Sequence, residues 1–315
     1  MTLLIQYTLI FASVLMLVAL GGCFAERSGV INIGLEGIMV IGALGGALVL
    51  KFMPVSVGAP VMVITTVIVS ALFGLVFSLL LAVAAINFKA DQTITGTAMN
   101  MLATAAATVA VKAMNTAASG GNDVSSDISY TRTKDLLLVH VGGFELNWFM
   151  LVAVLCLIAA YVALYKTRFG LRLRACGEHP QAADSVGINV YKMRYAGVLI
   201  SGFLGGIGGL AYTLAAGSGF NSDVGGYGFL ALAVMIFGNW KPLPILGASL
   251  FFALFKVIAA LNATLTFLPK FEGVKEISNF YQMLPYIVTM IVLIFTSKNS
   301  QAPKAEGIPY DKGSR

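Results

Sequence analysis

Apolar residues run along this chain in long, nearly unbroken windows, at about 4–22, 36–51, 61–86, 92–113, 147–165, 195–216, 228–239, 243–262 and 282–297. Most approach the ~20 residues that a helix needs to cross a bilayer. The pattern predicts an all-α fold, a polytopic membrane helical bundle of about nine (eight to ten) transmembrane helices in one domain over residues 1–315. The windows 36–51 and 228–239 are short and follow segments rich in Gly and Asn, so broken or tilted helices are expected there. Longer polar stretches fall at 114–146, 166–194 and 298–315.

Composition narrows the class further. Apolar residues make up 58% of the chain and charged residues 11%, where a soluble domain carries roughly 25% charged. With a mean hydropathy of +0.88, a water-soluble globule and a disordered chain are both excluded. Three cysteines are too few for a disulfide scaffold, and Cys23, Cys156 and Cys176 are expected to be small apolar fillers.

Charge sets the orientation, because Lys and Arg in short loops mark the cytoplasmic side. The stretch 166–194 holds Lys166, Arg168, Arg172, Arg174, Lys192 and Arg194 and is placed inside. Alternate loops then add Arg27, Lys89, Lys241 and the tail residues Lys298, Lys304, Lys312 and Arg315, so that 13 of the 20 basic residues lie inside. Lys51, Lys112, Arg132, Lys134, Lys270 and Lys275 fall outside, in part on an external loop at 114–146. With the tail inside, the N-terminus is expected outside. Met1 to Phe24 has no charge, which argues against a signal peptide and against processing at Leu20-Gly21-Gly22-Cys23, and for an uncleaved first helix.

An internal echo links Ser28 to Gly37 with Ser218 to Gly228, laying Glu36-Gly37 over Tyr227-Gly228 after one inserted residue. Five spans apart, the two copies would have opposite orientation, as in an inverted internal repeat. Unwound backbone at membrane depth is tolerated where it is buried in protein or lines a watery cavity. Asn32, Glu36, Asn221, Asp223 and Tyr227 are therefore candidates for a substrate pathway; a loop at the membrane surface is the alternative. Asn100, with Thr93, Thr95, Thr97 and Thr104, gives the fourth span a polar flank that suits either a passage for a polar solute or interhelical hydrogen bonds. Lys256, about 14 residues into its span, is expected to snorkel outward. Gly42/Gly46, Gly202/Gly206 and Gly205/Gly209 have the spacing that lets helices approach closely.

Several chemistries are missing. The chain has no phosphate-binding P-loop and no dinucleotide fingerprint, and His140 and His179 cannot form a metal cluster or a triad. A non-enzyme without metal or cofactor of its own is expected, and no basic stripe interleaved with aromatics suggests nucleic acid.

The loop from Phe169 to Val190 has a definite form: Pro180 suits a first helical turn, Ala182 and Ala183 favour helix, and Gly187 can end it. This stretch resembles the coupling-helix region of permease subunits in ABC-type importers, the group handling branched-chain amino acids, ribose and other simple sugars, and nucleosides. Glu26 to Gly37, Ala90 to Gly96 with Asn100, and Ala302-Pro303-Lys304 to Pro309-Tyr310 extend the likeness, most of all to the shorter permease of bacterial nucleoside importers. The resemblance implies a multi-pass protein of the bacterial cytoplasmic (inner) membrane that forms half of a translocation pathway. Its partners would be a second, different permease, a cytoplasmic ATPase that binds the ATP, an extracytoplasmic substrate-binding lipoprotein and the nucleoside itself. Residues Arg174, Glu178, His179, Pro180, Ala182, Asp184, Gly187 and Asn189 would then couple to the ATPase. The alternatives are a simple-sugar permease of the same kind, a secondary ion-coupled transporter using Glu36, Asp91 or Asp223, and a channel-like or structural membrane protein.

Overall fold

The structure is a computed structural model that describes residues 2–130, 133, 135–141, 144–217, 219–262, 277–296 and 301–313. Arg132, Lys134, Ser218, Lys270, Lys275, Lys298 and Arg315 lie outside the described residues. Its helices are α1 (Thr2–Arg27), α2 (Leu35–Phe52), α3 (Ala59–Ala82, continued by a π turn to Asn87), α4 (Gln92–Ala118), α5 (Trp148–Lys166), α6 (Arg168–Glu178), α7 (Pro180–Ser185), α8 (Val190–Ala216), α9 (Tyr227–Phe237), α10 (Pro242–Ala260) and α11 (Ile277–Thr296). Two small antiparallel ladders accompany them: β1 (Ile128–Ser129) pairs with β4 (Gly219–Phe220), and β2 (Leu138–Val141) with β3 (Phe144–Asn147).

Among the described residues seven helices are long and apolar enough to cross a membrane: α1, α2, α3 with its π turn, α4, α5, α8 and α10. The expected nine is not reached by this measure. Helix α9 has 11 residues, about 16 Å of rise, and cannot cross alone. It follows the non-helical stretch 221–226, which includes the left-handed residues Ser222, Gly225 and Gly226. The break anticipated at 228–239 is therefore real and lies just before the helix.

Local chemistry sets the helix starts. Asp91 Oδ1 accepts from the Ile94 amide at 2.9 Å, Asn147 Oδ1 from Phe149 at 3.0 Å and Asn189 Oδ1 from Lys192 at 2.9 Å, each meeting one of the amides a helix leaves unpaired. Proline occupies the first turn of α3, α7 and α10, where its missing N–H costs nothing.

Helix α1 is apolar all round and fully buried from Val14 to Leu20 apart from a trace at Met16, so it forms the centre of the bundle. In lipid the hydrophobic effect gives little drive for helix association, and close backbone packing must supply it. Helix α8 does this with glycines. A Cβ on Gly42 of α2 would land on the Gly206 backbone, and one on Gly209 would strike the Met39 carbonyl. Between them the Ser70 hydroxyl of α3 donates to the Gly42 and Gly206 carbonyls, 2.7 Å from each. Gly42→Val should accordingly cost about 3 kcal/mol, as overpacking of a tight seam does, read as a lower melting temperature of the purified protein; an unchanged melting temperature would mean the seam can open freely.

The ends of the bundle are distinct. Arg27 Nε donates to the Trp240 carbonyl at 3.0 Å, the Ala305 amide to the Gly177 carbonyl at 2.8 Å, and Lys89 pairs with Asp311 at 3.0 Å. At the opposite end β1 meets β4, the Thr133 hydroxyl donates to the Leu50 carbonyl at 2.9 Å, and Lys51 donates to Asn115 at 2.8 Å. One end therefore gathers Arg27, Lys89, the 166–194 loop, Lys241 and the tail residues 301–313, the described part of the set that the charge pattern grouped on one side.

Candidate functional site

Two places carry the residues singled out from sequence. The first is an interior crossing. The stretch 28–34 leaves α1 as irregular chain, yet Ser28, Val30 and Asn32 are fully buried, so it is no surface loop. Neighbouring helices satisfy its backbone: the Ile31 amide donates to Gln92 Oε1 at 2.7 Å and the Ile33 carbonyl accepts from Asn100 Nδ2 at 3.0 Å. Asn100 Oδ1 also accepts from the Gly37 amide at 2.8 Å. Its amide thus pins both sides of the α2 start. Asn32 points into α8 and donates to Ser201 Oγ at 2.8 Å.

Glu36 joins the two segments of the echo. Its Oε1 accepts from the Gly226 amide at 2.8 Å and its Oε2 from the Gly228 amide at 2.6 Å. A carboxylate here sits at the positive N-terminal ends of both α2 and α9. Tyr227 is buried beside it and stacks obliquely on Tyr212, with ring centroids 4.6 Å apart, and on Phe11, 5.4 Å away. Asn221 and Asp223 are exposed, and with Asp127, Tyr212 and Thr213 they line a cavity of about 420 Å³ at the end opposite the basic one.

Lys256 departs from expectation. Its ammonium does not reach outward but lies 5.2 Å from the Tyr227 ring centre and 5.6 Å from that of Tyr286. By helix rise Lys256 stands about 21 Å from the start of α10 and Tyr227 about 15 Å from the end of α9, and the ammonium lies beside the rings, which attract a cation. On α4 the hydroxyls of Thr95, Thr97 and Thr104 donate to carbonyls four residues back. Thr93, Thr97 and Thr104 are exposed, so within this chain the hydroxyls of Thr95, Thr97 and Thr104 are spent on their own helix, and of the polar flank it is Asn100 that bonds a neighbour.

The second place is the basic end. Helix α7 has six residues and rests on the rest of the chain through Pro180 and Ala183. Ala183 packs with Cys176, Val190 and Tyr310. Gly187, at φ +81°, turns the chain after it. His179, Ala182 and Val186 face outward, Val186 at 74% exposure, while Asp184 is half-buried. Glu178 lies 3.8 Å from Arg27, Arg174 covers the Tyr165 ring at 4.8 Å, and Asn189 caps α8. Of the eight residues proposed for coupling, His179, Ala182 and Gly187 are free for a partner, whereas Arg174, Glu178, Pro180, Asp184, which is hydrogen-bonded to Tyr310, and Asn189 hold the platform together.

Residues 4–296 match the family described as branched-chain amino acid transport system, permease component. The chain belongs to that permease family. It is 41% identical to the guanosine ABC transporter permease NupQ of Bacillus subtilis, over all of this chain and 98% of the relative. Identity is 40% with the nucleoside ABC transporter permease NupC of Lactococcus lactis, over 96% and 95% of the two chains, and 25% with NupB of the same organism, over 76% and 67%. No solved structure matches. The permease is thus a multi-pass membrane protein of an ABC transport system.

Sequence reading missed how residues 301–313 lace this permease's basic end. The Ala305 amide donates to Gly177, Gly307 to Gly29, and Arg194 Nη1 to the Ile308 carbonyl at 2.9 Å. Glu306 is hydrogen-bonded to Glu26, which also accepts from Trp240 Nε1 at 2.5 Å. Burial, opposed by the Glu26 hydrogen bond and by nearby Arg27, raises the Glu306 carboxyl above its ordinary range. A raised carboxyl favours the docked tail when protonated, and that contribution is lost as pH rises through the raised value. Amide exchange over 305–310 should therefore quicken with pH beyond its intrinsic rate, and Glu306→Gln should remove the excess; equal protection at every pH in the native chain would refute this.

Proposed function

We propose that this permease is one half of the translocation pathway of an ATP-driven importer for nucleosides, in the cytoplasmic membrane of a bacterium with its basic end inside. The likeness to NupQ and NupC over almost the whole of all three chains carries this reading. That Lactococcus lactis has both a NupC and a NupB supports a pair of different permeases. A separate ATPase would bind the outward face of α7, and a binding lipoprotein would deliver the nucleoside to the outer end.

Under this reading the solute enters at the cavity of Asp127, Tyr212, Asn221 and Asp223 and passes Tyr227 and Glu36. Asn32 and Asn100 hold the broken backbone that shapes the passage. Closure of the ATPase would move α7, and with it α6 and α8, because α7 is joined to both by a single residue or a short turn. Reciprocal bias between nucleotide state and cavity state is the thermodynamic requirement.

The test is guanosine uptake into vesicles holding the permease with its partner subunits. Uptake should need ATP inside, survive collapse of proton and sodium gradients, and resist competition by ribose. Uptake that persists without the ATPase but falls with a gradient would replace the proposal with a secondary transporter, and ribose competition would shift the substrate to sugars.

A further inference from the structure

At the basic end lies a cavity of about 560 Å³ that the transport path does not use. Its wall carries four cations, Arg27, Arg174, Lys241 and Lys304, against one acid, Glu178. That acid is already paired with Arg27 at 3.8 Å. The Arg174 guanidinium lies over the Tyr165 ring at 4.8 Å, and its Nε is buried without a hydrogen-bond partner. Lys241 and Lys304 stand exposed at the rim. Such a pocket is built for a compact anion with several acceptor oxygens, which a planar guanidinium and two ammonium groups bind best as phosphate.

A second cavity, of about 410 Å³, adjoins the first and shares Tyr165 and Lys241 with it. This one is walled by Tyr161, Pro242, Leu243 and Pro244, with Lys166 beside Lys241 as its charged lining, between the end of α5 and the start of α10. It lies at the foot of the α5 surface on which Leu151, Val154, Leu155, Ile158 and Val162 are exposed to lipid. An apolar groove that opens onto the bilayer flank and ends in a cationic pocket is the shape of a ligand with a phosphate head and acyl chains. An acidic side chain of the ATPase could meet the cations but would leave the groove unused.

We infer that Arg27, Arg174, Lys241 and Lys304 bind the phosphate of an anionic phospholipid of the inner leaflet, whose chains lie in the Tyr161–Leu243 groove. The head would then tie together α1, α6, the start of α10 and the 301–313 tail, the parts that support α7. Basic pockets between membrane helices on the cytoplasmic side commonly take such heads, with each cation near the surface worth about fivefold in affinity.

The experiment uses the full-length permease with its partner subunits in phosphatidylcholine nanodiscs. Added phosphatidylglycerol should raise the melting temperature and remain bound in native mass spectrometry. The double variant Lys241→Gln/Lys304→Gln should bind it roughly 25-fold more weakly, about fivefold for each cation removed, while Lys241→Arg/Lys304→Arg retains binding and Lys192→Gln, outside the pocket, changes nothing. Any of these results would overturn the inference: no preference for phosphatidylglycerol, a preference that survives in the double glutamine variant, or an equal shift produced by inorganic phosphate in pure phosphatidylcholine. Shielding of Lys304 from an amine reagent only when the ATPase is present would assign the pocket to that protein instead and reject the lipid.

Discussion

Glu36→Leu should reduce uptake at least tenfold, and Glu36→Gln should fall between it and the native chain. The carboxylate accepts from Gly226 and Gly228 at once, and leucine would leave both amides unpaired inside the bundle. Each unpaired buried donor costs about 1–3 kcal/mol, and the favourable position of a negative charge at two helix starts is lost as well. Glutamine keeps one acceptor but turns an NH2 toward the other amide, so one of the two bonds is lost. Uptake measured at equal membrane abundance decides the matter: a leucine variant within twofold of the native rate would show that the α2–α9 crossing holds without its carboxylate.

Val186→Glu combined with Ala182→Glu should release the ATPase and lower uptake more than tenfold, with the permease itself still folded. Both side chains face outward, so neither substitution touches the packing of α7 on Cys176, Val190 and Tyr310. An apolar patch at the centre of a docking face excludes water, and a charge buried there without a partner is strongly unfavourable. Ala183→Glu serves as the contrast, since Ala183 is buried in that packing and its replacement should lower the melting temperature. Co-purification of the ATPase with the outward double variant at native yield would place the docking surface elsewhere.

Features written in local pattern were legible from sequence. The apolar windows became helices because lipid demands continuous backbone pairing. The weakness at 228–239 was visible in the Gly and Asn residues before it, and the form of α7 in Pro180 and Gly187. The glycine pairs also had local spacing, although their partners, Gly206 for Gly42 and Met39 for Gly209, did not. Distant contacts were hidden. Nothing near Asn100 indicates that it holds Ile33 and Gly37, and nothing near Lys256 points to Tyr227 and Tyr286. The span count is open for a related reason: hydropathy weighs residues but cannot tell a full crossing from an 11-residue helix reached through unwound chain.

The lacing of the tail bears on how the protein is made. Gly29 and Gly177 meet their partners at Gly307 and Ala305, residues that leave the ribosome only after every described membrane helix. Until then the carbonyls at the end of α1 and in the 166–194 loop have no tail to bind, and the seat of α7 lacks Tyr310. Under the proposed function, newly inserted chains would therefore offer an ATPase an unfinished seat, and biogenesis itself would order the assembly: membrane insertion first, self-closure second, recruitment of the motor last.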